Sequence, residues 1–279
     1  MSDGTVQVSV SGGHGLSTPK DKSRLLRVIQ YFVRDCRIDR NQPVLVIGGS
    51  HGDLEILSIC GFKQIVMSNL DANGLFIDAE DIALPDDSYS VVFAHAVLHH
   101  CRCPLAAVGE MVRVSQKHVV FVEPNDSWSL RMLVRLGFSF PYELAAVADN
   151  EYTHGGMRNG PIPNYIYRFT GHEIKKAVCA YHPERQFRVN AHPYWDFYVN
   201  EHELLVRTET RVAKLARKLG PARFIALLHS AQKFLNLFSP VRSQGNKFFC
   251  SISKATLHPW IELRDGQYVL RRETNVVGS

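Results

Sequence analysis

The sequence predicts an α/β fold built on a mostly parallel sheet. Three observations carry this prediction. Short continuous apolar runs recur through the first half of the chain. Segments of helical periodicity separate them, and the first run ends in glycines. Apolar runs without alternation are what strands buried on both faces require, and helices between them supply the covering layers.

Each element follows from local pattern. Thr18-Pro19 opens a helix, a capping residue followed by Pro in the first turn. Its apolar positions Leu25, Leu26, Ile29, Phe32, Val33 and Cys36 keep the helical period. PVLVIGG (43–49) reads as the first strand, Asp53 to Cys60 as a helix stopped by Gly61, and QIVMS (64–68) as the second strand. GLFID (74–78), YSVVFA (89–94) and HVVFVE (118–123) read as three more strands, with a helix over Pro104–Ser115 before the last. A helix near Trp128–Leu136 leads into a long irregular stretch (141–168) rich in Gly, Pro and aromatics, the composition of a lid or binding loop. Thr170 and Glu173 form a capping box for a helix over 171–181. FRVNAHPYWDFYV (187–199) and NKFFCSIS (246–253) read as a sixth and a seventh strand. Between them, 202–219 and 221–238 read as two amphipathic helices, broken at Gly220-Pro221 and ended by Pro240.

Composition excludes several classes. The chain has 279 residues, 45% hydrophobic and 21% charged, with 32 Lys and Arg against 27 Asp and Glu. That balance suits a globular protein with a large core, and it falls short of the clustered excess of an obligate nucleic-acid binder. No apolar run approaches the roughly 20 residues of a membrane span. The N-terminal MSDGTVQVSVSGGHG has neither the charge nor the apolar stretch of a signal peptide. Six scattered cysteines without a CxxC pair read as reduced thiols of a cytoplasmic protein.

The segment VLVIGGSHGD (44–53) carries the most chemistry. A strand, a glycine turn and a helix start form a nucleotide-binding arrangement at the carboxyl end of a parallel sheet. Ser50 and Asp53 occupy the second and third glycine positions of a dinucleotide fingerprint, and the loop has no phosphate-binding Lys. The Asp53 carboxylate would repel a pyrophosphate, whereas a phosphate-free cofactor carrying a sulfonium and an ammonium would tolerate it. A tight turn without a ligand is the plain alternative. Asp71 lies nineteen residues past Gly52, where a ribose hydroxyl is held in such folds.

Further pieces follow in order: DAEDIALP (78–85), SYSVVFA (88–94), VLHH (97–100), EMVRV (110–114) and HVVFVE (118–123). Together, Val44 to Pro124 resembles the class I S-adenosylmethionine-dependent methyltransferases of small-molecule type. The resemblance implies a Rossmann-like, mostly parallel seven-stranded sheet flanked by helices, with a helical and loop lid insertion. It implies S-adenosyl-L-methionine as cofactor. Gly48, Gly49, Ser50 and Gly52 would shape the loop around its methionine part. Asn69 or Asp71 would hold the ribose. Asp78 would accept from the adenine amino group, with the Ala79 amide alongside. Ala94 and His95 would line its amino-acid end. The sequence departs from the family at Val46, Ser50, Asn69 and Ser90, where acids or a glycine are usual.

Methyl transfer needs alignment and, for a hydroxyl acceptor, a general base; histidine suits because its ordinary pKa lies near neutrality. Sugar O-methyltransferases resembling this segment use a His-His pair here and a carboxylate ending the fifth strand, which implies His99, His100 and Glu123. The plainer readings are a helix-capping histidine and a Glu123 that partners a backbone amide. His99, His100, Cys101 and Cys103 are dense, but only His99 and Cys103 share a helix face and no second ligand pair exists, so no metal site is expected. The bases of 202–238 form either a surface for anionic lipid or a phosphorylated acceptor, or the solvated face of a lid module; the latter is favoured.

The expected organisation is a flexible N-terminus (1–17), a cofactor-binding core (18–140), a lid loop (141–170), a core continuation (171–201), a helical insertion acting as substrate lid (202–240) and a last strand with its tail (241–279). The expected function is methylation of a small molecule, at a hydroxyl of a sugar or natural-product-like acceptor. C-methylation of a lipid-like acceptor and a non-catalytic binding protein on the same fold are the alternatives. The expected partner is the small-molecule acceptor, with no nucleic acid and no transmembrane segment, and with room for weak peripheral membrane contact.

Overall fold

A computed structural model describes residues 19–68, 77–142, 165–197 and 211–271. The chain order is α1 (Pro19–Asp35), β1 (Pro43–Ile47), α2 (His51–Ile59), β2 (Gln64–Met67), β3 (Tyr89–His95), α3 (Pro104–Val114), β4 (Ser115–Pro124) and α4 (Trp128–Arg135). It continues with α5 (Gly171–Tyr181), β5 (Arg185–Tyr194), α6 (Arg211–Leu219), α7 (Pro221–Leu237), α8 (Ser239–Arg242), β6 (Lys247–Leu257), β7 (Ile261–Arg264) and β8 (Gln267–Leu270).

Six strands form the central sheet in the order β2-β1-β3-β4-β6-β5. β1 pairs in parallel with β2 and β3, and β3 with β4. β6 runs antiparallel to both β4 and β5. The strand order reverses at β1, which has β2 on one side and β3 on the other, and that reversal opens a crevice at the carboxyl ends of the strands.

The period of two along each strand divides the core. Leu45, Ile47, Val92, Ala94, Val119 and Phe121 face α3 and α5, meeting Val108, Met111, Ile174 and Val178. Val44, Val46, Val91, Phe93, Val120 and Val122 face α1 and α2, meeting Leu25, Ile29, Phe32, Ile56 and Leu57. Both faces are therefore buried, which is why the strands read as unbroken apolar runs.

The sheet has six strands among the described residues, where the sequence predicted seven. Of the expected strand 74–78, residues 74–76 lie outside the described residues; Ile77 is buried outside any strand, and Asp78 makes only an isolated bridge to Asp81. A hairpin of β7 and β8 is the one sheet element the sequence reading missed. Pro240 does not end α7: the helix stops at Leu237, and Pro240 sits in the first turn of α8, where its missing N–H costs nothing. The capping box of Thr170 and Glu173 forms as expected. The expected flexible N-terminus, most of the expected lid loop (143–164) and residues 198–210, which include the start of the expected helical insertion, lie outside the described residues.

Candidate functional site

The crevice is built from the ends of β1, β3 and β4. After Ile47 the chain turns through Gly48, whose φ of +59° is in the left-handed region that favours glycine. A side chain on Gly48 would lie 2.3 Å from Val97 Cγ2, and one on Gly49 would lie 2.2 Å from the Met67 methyl carbon. The two glycines thus let the chain after β3 and the end of β2 close against the loop. The Gly49 amide also donates to the Ser68 carbonyl at 3.0 Å.

Ser50 departs from glycine for a local reason. Its side chain caps α2, with its oxygen accepting from the Asp53 amide while Asp53 Oδ2 accepts from the Ser50 amide at 2.8 Å and hydroxyl at 2.6 Å. Asp53 Oδ1 then accepts from His95 Nδ1 at 2.9 Å. Burial raises the Asp53 carboxyl, and the His95 hydrogen bond and charge together with Ser50 outweigh it, leaving the group below its ordinary value. The acid that spoils a pyrophosphate site is therefore the link between the glycine loop and the end of β3. Gly52 is buried in the first turn of α2, and the Ala94 side chain belongs to the core, so Ala94 meets the crevice through its backbone alone.

Beyond His95 the chain makes one 3-10 turn, Leu98–His100. Glu123, the penultimate residue of β4, is fully enclosed beneath it. Its Oε1 accepts from the Val97 amide at 2.9 Å and the Leu98 amide at 2.7 Å, and its Oε2 accepts from His99 Nδ1 at 2.6 Å. Burial raises the Glu123 carboxyl; the charge and hydrogen bond of His99 and the two amides overcome this and hold it below the usual carboxylate range. A carboxylate only accepts, so His99 Nδ1 carries the hydrogen of this contact. The His100 ring lies 4.1 Å from that of His99.

The segment after Ile77 forms the third wall. Asp78 is exposed, with its carboxylate accepting from the Glu80 amide at 2.9 Å, and Ala79 packs partly into the core. Two residues of the E-x-x-R run brace this wall: Glu110 Oε2 accepts from the Ile82 amide at 2.9 Å, and Arg113 donates to the carbonyls of Leu84 and Ile82. The sequence showed the motif but not this duty, because its partners are 28 and 31 residues away. Cys101 marks where the walls meet. Its thiol is pushed up to about 12 by burial and then by the charges of Glu80, Glu123 and Asp78.

Of the expected site residues, the structure brings Gly48, Gly49, Ser50, Gly52, His95, His99, His100 and Glu123 to one end of the sheet, with Asp78 on its flank. Asn69 and Asp71 lie outside the described residues. The sequence reading missed the Ser50–Asp53 capping box, whose S-x-x-D spacing was there to find, and the Asp53–His95 pair, which no local spacing signals. Among the described residues, no group of three or more His, Cys, Asp or Glu could hold a metal ion. The residues fit S-adenosylmethionine, because the turn places the buried Asp53 carboxylate where a phosphate would be repelled and Asp78 stands exposed on the flank of the same end of the sheet. No Lys or Arg stands in the 48–53 turn to hold a phosphate.

Residues 62–122 match the family model of a methyltransferase domain. That span runs from just before β2 to Val122 within β4; it includes Asp78, His95, His99 and the Arg113 brace, and leaves out Glu123 and the Gly48–Gly52 turn. No curated protein matches the sequence. Among solved structures, the chain is similar to magnesium protoporphyrin IX methyltransferase from Synechocystis with bound SAH, at 10% identity and a TM-score of 0.46, over 87% of this chain and 90% of that one. It is similar to a putative methyltransferase from Bacillus halodurans at 17% identity and a TM-score of 0.43, over 82% and 96%. A third, from Haloferax volcanii, is a putative methyltransferase in complex with the Trm112 activator, at 14% identity and a TM-score of 0.46, over 84% and 91%.

Proposed function

We propose that this chain is a class I S-adenosylmethionine-dependent methyltransferase, a reading supported by its match to a methyltransferase-domain model over residues 62–122, and that it transfers the methyl group to a hydroxyl of a small-molecule acceptor, with His99 as general base. One observation carries the reading: His99 Nδ1 meets the buried Glu123 carboxylate at 2.6 Å, at the carboxyl end of the strands. S-adenosylmethionine, when bound, supplies a sulfonium-linked methyl group that a nucleophile attacks in line.

The chain's own residues do the rest. Asp78 and the Gly48–Gly52 turn hold the cofactor, with Ala79, Ala94 and His95 alongside its two ends. Glu123 holds the His99 ring in one orientation, and His99 receives the acceptor's proton as the methyl group is transferred. His100, its ring 4.1 Å from that of His99 and tilted to it, stands beside the base. A sugar or natural-product-like alcohol matches this base.

Calorimetry with S-adenosylhomocysteine and transfer of labelled methyl to a panel of sugars and phenols test the reading. Binding is expected, and His99→Ala is expected to lower turnover by about 10²–10⁴-fold while leaving S-adenosylhomocysteine affinity within a few-fold. Absence of binding would leave a non-catalytic methyltransferase-fold protein. Unchanged turnover in His99→Ala would favour the second reading, an acidic carbon on a lipid-like acceptor, which the apolar outer face of α7 suits.

A further inference from the structure

The helices α6 to α8 carry an unusual charge pattern. Residues 211–242 contain seven Lys and Arg and no Asp or Glu. The chain holds 32 bases and 27 acids, so outside this segment 25 bases face 27 acids. The whole positive excess of the protein therefore sits on one small module, and all seven bases are exposed.

A solvated lid face would be polar as well as charged, and this one is not. Arg223, Leu227, Ser230, Phe234 and Leu237 follow spacings of four and three residues and so share one side of α7. Leu227 is 58% exposed, Phe234 62% and Leu237 76%. Phe238, its ring 5.0 Å from that of Phe234, extends the same strip. The helix cannot roll to hide these side chains, because its other side is pinned. Phe224 is buried against α6, Asn236 exchanges two hydrogen bonds with the Trp195 backbone, and Gln232 accepts from the Phe197 amide. The Trp195 indole also donates to the Val241 carbonyl.

We infer that the outer face of α6 and α7 docks on an anionic phospholipid bilayer. α7 lies in the interface, with Leu227, Phe234 and Leu237 at the acyl boundary and the surrounding bases on headgroup phosphates. The outward apolar strip of α7, with the exposed Arg223 and Lys233 on the helix and five further exposed bases on α6 and α8, suits a face that lies on a bilayer surface. Among the described residues no helix is long and apolar enough to cross the membrane, which fits lying on the surface. A second copy is a poor occupant, since two such faces would set seven bases against seven without an acid between them. This inference stands apart from the methyl-transfer reading and does not depend on it.

Flotation of the full chain with vesicles tests it. The protein is expected to float with vesicles of phosphatidylcholine and phosphatidylserine in equal parts and to stay behind with phosphatidylcholine alone. Raising salt from about 0.1 M to about 1 M shrinks the Debye length from about 10 Å to about 3 Å, and is expected to lower the bound fraction about tenfold or more. The double variant Phe234→Ser/Leu237→Ser, with an unchanged urea midpoint, is expected to lose binding to the same extent, and Arg223→Glu/Lys233→Glu likewise. The inference is overturned by absence of flotation with the anionic vesicles, by equal binding to phosphatidylcholine, or by binding that neither variant alters. A dimer in light scattering that Phe234→Ser/Leu237→Ser dissociates would also overturn it and make the face a self-interface.

Discussion

Two histidine–carboxylate pairs stand at the same end of the sheet and are built to opposite specifications. His95–Asp53 is 2.9 Å long, and its histidine side chain keeps 15% of its surface in solvent. His99–Glu123 is 2.6 Å long and sealed, at 4% and 0%. Asp53 spends its remaining contacts on a helix cap, whereas Glu123 spends them on two backbone amides of the turn that carries His99. The open pair locks the glycine loop to β3. The sealed pair fixes the orientation of the His99 ring. One residue type thus gives two roles, decided by burial and by what else the carboxylate must satisfy.

The largest effect that would break this comparison is expected from Glu123→Ala. It strands a buried imidazole and two buried amides, so urea unfolding should show a loss of about 3–5 kcal/mol, together with loss of turnover. Asp53→Ala is expected to cost less, about 1–3 kcal/mol by the same measurement, since it removes a helix cap and one half-open partner.

Acid sharpens the comparison further. Both carboxyls are held below their ordinary range. Their stabilisation is therefore complete above the unfolded carboxyl pKa of about 4 and is lost as pH falls through the lower folded values. Thermal melts from pH 6 down to pH 3 should fall less steeply for Asp53→Asn and Glu123→Gln than for the parent chain. A parent curve no steeper than either variant's would contradict the assignment.

The smallest effect is a difference in thiol reactivity. Cys103 and Cys179 are exposed, while Cys60 and Cys101 have thiols raised to about 11 and about 12, chiefly by burial. Iodoacetamide at neutral pH should label the first two, identified by peptide mass, and spare the others. Glu123→Ala should expose Cys101 to the reagent while leaving Cys60 protected, because only Cys101 lies beside the sealed pair.

Most of the fold was legible in residue order. Val44 to Ile47 is apolar at every position because the sheet is covered on both faces, and a buried strand leaves that mark whatever its neighbours are. Thr170 and Glu173, or Ser50 and Asp53, sit three residues apart because a helix start needs its amides satisfied locally. The glycines at 48 and 49 were readable as a turn, and the VLHH and HVVFVE runs brought His99 and Glu123 under suspicion together.

Tertiary structure alone decided what those residues do. That Asp53 reaches His95 across 42 positions, and Glu123 reaches Val97, Leu98 and His99 across 24 to 26, follows from strand register, which no local pattern encodes. The same holds for the helical module. Its periodicity shows two apolar sides of α7, but the packing of Phe224 and the hydrogen bonds that Asn236 and Gln232 accept from the chain after β5 fix which side turns inward. Local sequence dictates secondary structure and caps because those interactions span a few residues. Which polar groups end up buried together depends on how distant segments meet, and that is set by the packing of the whole chain.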